Sequence, residues 1–489
     1  MTTHNSYLNA GQPNLSYFAS GSGTFKVLVL FVDFPDAPAQ AAPDTLYADN
    51  EFGDATQWFQ QTSQGQMNMQ FNPVDRWFRI NQPSTDFQPN GGYMSGGQLV
   101  SLVQAAMSAA SAGGVSFGGY QQVFVVDSPT SAIRSDLTSI AGPNAPVSAP
   151  DGTPFRWVTN FGATASGTNI LTARDIEHEL MHSFGPADLG NSSVGPYWTI
   201  NYAAGLLPAS LTAWERLQVG WLGLDHVDCV TSSGSTDVKL MPLEQGAGTR
   251  AIIIPVNGHY VVAENREMKN EDANICRPGM LLSSVNPQDD ELTSSAISGI
   301  ADPGEPVTTL PVSHQPDGCN YAWDMNGSKT YSDPSGNFQL RLLCHQTDLS
   351  YIVRVADGEP MSNSPSPLCK GAPPGEKVVQ GGGGNGDHAK FTAKVASGRC
   401  SGSPKLRVKG SVTNQIPGDV YRLQEKLPAS SRWLTVNKAL GIGFTGGFQV
   451  TLTLQKVTCK TRSVQLRIAS DGHAISRTVT LRITSPQHR

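Results

Sequence analysis

Long hydrophobic runs are missing from this 489-residue chain. Its most apolar stretch, VLVLFV at 27–32, is far too short to span a bilayer. The opening MTTHNSYLNA has no basic segment and no apolar segment, so no secretory signal is visible in it. Either the protein is cytosolic or this chain lacks its export segment. Charge is also scarce. Only 15% of residues are Asp, Glu, Lys or Arg, which argues against a helical bundle. Cysteine does not occur before Cys229, and the seven cysteines form no CxxC pair, which disfavours a zinc ribbon. Their wide spacing allows up to three disulfides with one thiol left over, and Cys400–Cys459 is the expected pair because both lie in one C-terminal β-rich stretch. The alternative is seven reduced, buried cysteines. Disulfides would favour the second compartment, a secreted or cell-surface location.

What is abundant points the same way. Glycine (50) and proline (33) suit a loop-rich secreted enzyme or a β-rich protein, and the length calls for two or three domains. The net charge of −6 conceals an asymmetry. Residues 389–489 hold 17 Lys and Arg against 3 Asp and Glu, whereas residues 1–388 hold 17 against 37. The two parts therefore carry about +14 and −20, a division that matters for what each attracts.

Residues 1–24 are polar and read as a lead-in. FKVLVLFVDFPD (25–36) and YQQVFVVDS (120–128) read as buried strands, with a helix between them at 96–113, the pattern of a parallel crossover. FRWVTNFGA (155–163) reads as a further, more exposed strand. A helix is expected over 173–184, capped by Thr172 with Asp175 three residues on, and with Ala173, Ile176, Leu180 and Phe184 as its inward stripe. Another is expected over 210–222 with a Ser or Thr cap. Residues 229–360 read as a β-rich extension. Residues 361–388, with a tetraglycine run, read as a Pro/Gly linker. Residues 389–489 alternate apolar and polar positions in short strands, with Asp471-Gly472 as a hairpin turn, and read as an immunoglobulin-like β-sandwich.

The chemistry concentrates in DIEHELMHSFGPADLG (175–190). His178 and His182 are four residues apart, so a helix places them on one face, where two imidazoles can bind one zinc ion. Glu179 stands next to His178, positioned to act on a water without being a ligand. Gly185 allows the chain to leave the helix, and Asp188 is then returned towards the metal as a third ligand, leaving a fourth position open. Random placement would produce HExxH in such a chain only about 0.005 times, so the pattern is not readily accidental. A solvent-facing histidine pair on a core helix, or metal without catalysis, are the plainer alternatives.

HExxHxxGxxD resembles the zinc site of metzincins in its aspartate variant. Further stretches are similar, in the same order, to the immune inhibitor A family of secreted bacterial metalloproteases: KVLVLFVDFPD (26–36), WFQQTSQGQMNM (58–69, with a Ser-x-Gly before a strand), LTAWERLQVGWL (211–222), and the Glu-Asn-Arg and Gly-Met-Leu elements within 259–285. The resemblance covers roughly residues 25–355; only the zinc motif is specific on its own. It implies a metzincin-like α/β (α+β) catalytic domain over 25–228, with a twisted mixed sheet and an active-site helix, followed by the β-rich regions. It also implies that His178, His182 and Asp188 bind zinc, that Glu179 is the general base, and that the substrates are proteins or peptides. Metzincins place a methionine in a turn beneath the metal. Here no Met lies between Met181 and Met241, and Ile200 or Asn201 takes the expected place. Tyr202, just beyond, is a candidate to stabilise the oxyanion, with a packing role as the plainer reading.

Glu215 is a second candidate for third ligand, in the manner of gluzincins, and nothing places His226 or His259. Calcium is expected by analogy with secreted proteases, the candidate stretches being NEDAN (270–274) and 324–337, although neither matches an EF-hand loop. The basic C-terminal region suits either a polyanionic surface or the acidic remainder of its own chain, and no nucleic-acid motif accompanies the charge. A contrasting reading of the whole chain is a cell-surface or matrix-binding protein whose zinc site is structural or inactive.

Overall fold

The computed structural model describes residues 3–4, 11–13, 17–43, 51–88, 94–133, 136–140, 146–162, 171–186, 198–201, 210–231, 233–272, 275, 278–288, 297–299, 322–323, 325, 329–334 and 337–369, and beyond these the backbone of the strands between 389 and 482. The fold is mixed α/β, with several sheets, many strands and few helices. It divides into two compact units. The first comprises Met1–Glu267 with Arg277–Pro374, and the second Met268–Cys276 with Gly375–Arg489.

The N-terminal part of the first unit is built on five strands: β1 (Gly23–Asp33), β2 (Met67–Arg79), β3 (Gln122–Asp127), β4 (Asp136–Ile140) and β5 (Trp157–Phe161). Their order is β2-β1-β3-β5-β4, parallel except for the antiparallel edge strand β4. Parallel strands are covered on both faces, which is why β1 and β3 read as continuous apolar runs. Alternation along β1 sends Leu28, Leu30 and Val32 to one face, where they join Leu99, Leu102, Val103, Ala106 and Met107 of the helix Gly96–Ala112 in a single core cluster. On the other face Phe25 meets Phe184 edge-on at 5.1 Å. Phe184 ends the helix that carries His178 and His182. With the helices numbered in chain order, α1 is Glu51–Thr62, α2 is Gly96–Ala112 and α3 is Ala173–Phe184. α1 packs against α3, with Phe59 lying 6.2 Å from Phe184. β5 departs from the sequence expectation. All five of its residues are buried, because it lies inside the sheet between β3 and β4 rather than at an exposed edge.

The helix expected over 210–222 is only α4 (Ala213–Gln218). Thr212 caps it in an extended conformation, and Gly220, at φ 82°, turns the chain out of it two residues past its end. Besides two short two-stranded pairs, Thr3–His4 with Gln12–Pro13 and Val147–Ser148 with Pro154–Phe155, the remaining strands of this unit form two further sheets. One contains β6 (Val227–Cys229), and β7 (Gly234–Leu240) opens the other. β8 (Ala251–Val256), β9 (His259–Arg266), β10 (Gly279–Val285), β11 (Ile297–Gly299) and β12 (Ala322–Trp323) continue the first, in the order β6-β8-β9-β10-β11 with β12 also on β10. β13 (Thr330–Ser332), β14 (Phe338–His345) and β15 (Tyr351–Asp357) complete the second, in the order β7-β15-β14-β13. Ile252, Val261 and Leu282 of one sheet and Leu240, Leu340 and Val353 of the other share one core.

Residues 361–369 were expected to begin a linker, but they are tied to this unit. Arg354 donates to the carbonyls of Ser362 (2.9 Å) and Ser364 (2.7 Å), and Cys369 forms a disulfide with Cys344. Closing a loop of 25 residues by this bond is worth about 3 kcal/mol to the folded state. The expected partners Cys400 and Cys459 lie outside the described residues, and the thiol of Cys229 is free and exposed.

In the second unit β16 (Ala389–Ser397), β17 (Lys405–Val412), β18 (Tyr421–Lys426), β19 (Leu434–Thr435), β20 (Gly447–Thr453), β21 (Ser463–Ser470), β22 (His473–Ala474) and β23 (Val479–Arg482) pair antiparallel throughout. They make one sheet in the order β16-β17-β20 and another in the order β19-β18-β21-β22, with β23 also on β21. Ser470 stands opposite His473, as a two-residue Asp-Gly hairpin requires, although Asp471 and Gly472 themselves lie outside the described residues. Among the described residues no helix is long and apolar enough to cross a membrane.

Candidate metal centre

α3 begins as its sequence suggests. The Thr172 hydroxyl accepts from the Asp175 backbone N–H and the Asp175 carboxylate reaches back to Thr172, a capping box that fixes the first turn. Gly185 ends the helix at φ 119°, a conformation that favours glycine. Ile176, Leu180 and Phe184 are buried as an inward stripe, but the helix is covered on its other sides too. His178, Glu179 and His182 are only 5%, 3% and 6% exposed, so the solvent-facing histidine pair is excluded.

The two imidazoles lie with ring centroids 4.9 Å apart and planes at 83°. Each is held through Nδ1, His178 to the Ile200 carbonyl (2.9 Å) and His182 to the Pro186 carbonyl (3.0 Å). A carbonyl only accepts, so each Nδ1 carries a proton, and in the neutral ring the lone pair is then on Nε2. This is how histidines are oriented for a metal. The pair fits zinc on that ground.

Behind His178 lies a support that sequence reasoning did not assemble. Thr199 Oγ1 and Asn201 Nδ2 both donate to Oε1 of Glu215, at 2.9 and 2.8 Å. Between them the Ile200 N–H donates to the Ser210 carbonyl (3.0 Å), which leaves the Ile200 carbonyl facing His178. The other Glu215 oxygen accepts from the Thr212 backbone (2.7 Å) and hydroxyl (2.8 Å) as α4's capping box. Both carboxylate oxygens are thus taken up by hydrogen bonds inside the protein, which removes Glu215 from the candidates for third ligand. Arg266 grips the same segment, donating to the Trp198 carbonyl and to Ser210 Oγ, each at 2.9 Å, and it is itself paired with Glu264 at 2.9 Å. The Thr-x-x-Glu spacing at 212–215 was the only sequence signal for this network, and it discloses a cap rather than what the cap's second oxygen holds. Ile200 is 1% exposed and contributes its backbone carbonyl to the site.

Beside His178 on the same helix Glu177 is fully buried, with Arg174 3.9 Å away. Burial pushes its carboxyl up to about 8, and burial likewise brings the Arg174 guanidinium down to about 10.

Asp188 and Tyr202 lie outside the described residues. Among the described residues no third His, Cys, Asp or Glu joins the two histidines, and no other group of three is gathered for a metal. His226 is elsewhere, its Nδ1 at the Gly248 carbonyl (2.9 Å), and His259 begins β9. Of the calcium stretches, Glu271 and Asp272 are buried in a short turn, and 273–274 and much of 324–337 lie outside the described residues. The chain matches no protein-family model and no curated protein.

Proposed function

We propose that this protein is a secreted zinc-dependent endopeptidase of metzincin-like design, similar in its motifs to the immune inhibitor A family. The observation that carries the reading is the buried pair His178 and His182, each aimed by a backbone carbonyl at Nδ1, with Glu179 between them. His178 and His182 would hold the ion through Nε2, and Asp188 would be the third ligand. Bound there, zinc would supply Lewis acidity to polarise the scissile carbonyl and to make the attacking water more acidic. Glu179 accepts the proton of the attacking water on its carboxylate and delivers it to the departing amine. Its near-complete burial excludes bulk water from that transfer. Tyr202 would donate to the carbonyl oxygen as charge develops on it. The Glu215 network keeps the Ile200 carbonyl in place behind His178. The disulfide Cys344–Cys369 supports an oxidising compartment. The two antiparallel sheets of the second unit are read as the faces of a sandwich.

Casein and quenched peptides, offered to the wild type, to Glu179→Ala and to a chelated sample, test the assignment. Cleavage should fall by about 10²- to 10⁴-fold in the variant while its zinc content stays at the wild-type level. Zinc without cleavage in the wild type would instead favour a binding protein with an inactive site. A wild type without zinc would sink both readings.

A further inference from the structure

The basic charge of the second unit is not spread evenly over its strands. In the sheet β16-β17-β20, backbone alternation puts Lys390, Thr392 and Lys394 of β16 on one face. The register brings to the same face Lys405, Arg407, Lys409 and Ser411 of β17, and Gln449, Thr451 and Thr453 of β20. Phe391, Ala393, Val395, Leu406, Val408, Phe448, Val450 and Leu452 fall on the other face. The polar face thus holds five cations, and none of the three strands contains an Asp or Glu. With strands about 4.8 Å apart and alternate residues about 6.7 Å apart, the five share a strip of roughly 5 by 20 Å on two neighbouring strands.

Two features separate this face from a merely solvated one. Lys394 stands directly opposite Arg407, a like-charge pair that weakens the sheet, so sheet stability is not what these cations serve. The other sheet of the unit offers a contrast. On its polar face Arg422, Lys426, Arg467 and Arg482 stand opposite Ala469, Gln465, Gln424 and Ser463, and no cation faces another. The five-cation face is also without an aromatic or large apolar residue. That disfavours a single-stranded nucleic acid, which stacks on aromatics, and a membrane, where binding is strengthened by apolar insertion. The face of a three-stranded sheet is not the helix or two-stranded ribbon that the major groove of duplex DNA admits. Thr392, Ser411, Gln449, Thr451 and Thr453 interleave neutral hydrogen-bonding groups with the charges, which suits sugar hydroxyls between anionic substituents.

We propose that the β16-β17-β20 face is a docking surface for a linear anionic polysaccharide, with sulfate or carboxylate groups carried on sugar rings. The inference stands apart from the peptidase reading. It requires no zinc.

The test uses the full chain and heparin as the probe. The wild type should bind heparin at 0.15 M NaCl and release it as salt rises. K390T/K394T/R407T/K409T should bind at least about tenfold more weakly, whereas R422T/K426T/R467T/R482T, with the same loss of charge, should stay within about threefold of the wild type. A wild type that does not bind overturns the proposal. So does an equal loss in both variants, which would show bulk charge alone, or equal affinity for phosphatidylserine vesicles or poly(dT). Should the first variant fail to fold, lysine acetylation of the wild type decides. Heparin should protect Lys390, Lys394, Lys405 and Lys409. Protection of these lysines without heparin, abolished by 0.5 M NaCl, would show the face covered by the acidic part of its own chain and would overturn the proposal.

Discussion

Glu215 accepts four hydrogen bonds, two through each oxygen, and a glutamine in its place has one oxygen to offer instead of two. Whichever way the amide turns, its NH2 faces two donors, and buried groups lose their partners. Glu215→Gln is therefore expected to weaken zinc binding by about 10- to 100-fold, because the Ile200 carbonyl no longer holds His178 in one orientation. Chelator competition on the folded protein measures this, and 15N shifts of metal-free His178 should change from a single Nδ1–H tautomer to a mixture. An unaltered zinc affinity together with lower thermal stability would reduce Glu215 to a helix cap. The same residue shows what local spacing cannot disclose. A carboxylate at the right distance after HExxH is equally a ligand candidate or a cap, and only its neighbours in space distinguish the two.

At the scale of elements, a charged pair ties neighbouring strands of the β-rich region. Asp237 of β7 and Arg354 of β15 are direct partners in register, joined by two hydrogen bonds of 2.6 and 2.8 Å. The hydrogen bonds from Arg354 hold the Asp237 carboxyl below its usual range. A carboxyl depressed on folding stabilises the protein at pH values above its unfolded pKa, here 3.8, and that contribution is lost as pH falls further, through the folded value. Asp237→Asn should accordingly be less stable than the wild type at pH 7, and the gap should narrow steadily below pH 4. Denaturant unfolding followed at several pH values reads the difference; a gap independent of pH would mean that the charge of Asp237 is immaterial. Arg354 also holds the carbonyls of Ser362 and Ser364, so this one cross-strand pair secures the tail that runs to Cys369.

Over the whole molecule, the last of the boundaries between the two units, Pro374–Gly375, falls in a stretch rich in proline and glycine. Such a sequence buries little and is readily cut. Limited trypsin digestion is expected to cleave first at Lys370 or Lys377 and to leave a fragment that contains residues 1–369 resistant. First cuts elsewhere would place the exposed boundary outside this stretch. The opposite charges of the two parts make the outcome functionally informative, since the freed fragments can be tested separately for peptidase activity and for binding to heparin.

Repeating patterns that act over a few residues were legible without a structure. The apolar runs of β1 and β3, the capped helix α3 with its histidine pair, and the alternating C-terminal strands all follow from local sterics, hydrogen bonding and hydrophobic period. Contacts between distant parts of the chain were not. Nothing near residues 155–163 indicates that β5 is enclosed, because its cover comes from strands and helices elsewhere in the chain. The pairing of Cys344 with Cys369 depends on which loop lies against β14. The fit of the histidines to zinc depends on a carbonyl 22 residues beyond His178, held in turn by Glu215. Spacing determined which side chains share one helical face; only tertiary packing decided which backbone oxygen stands behind each ring, and through that which nitrogen is presented to a metal.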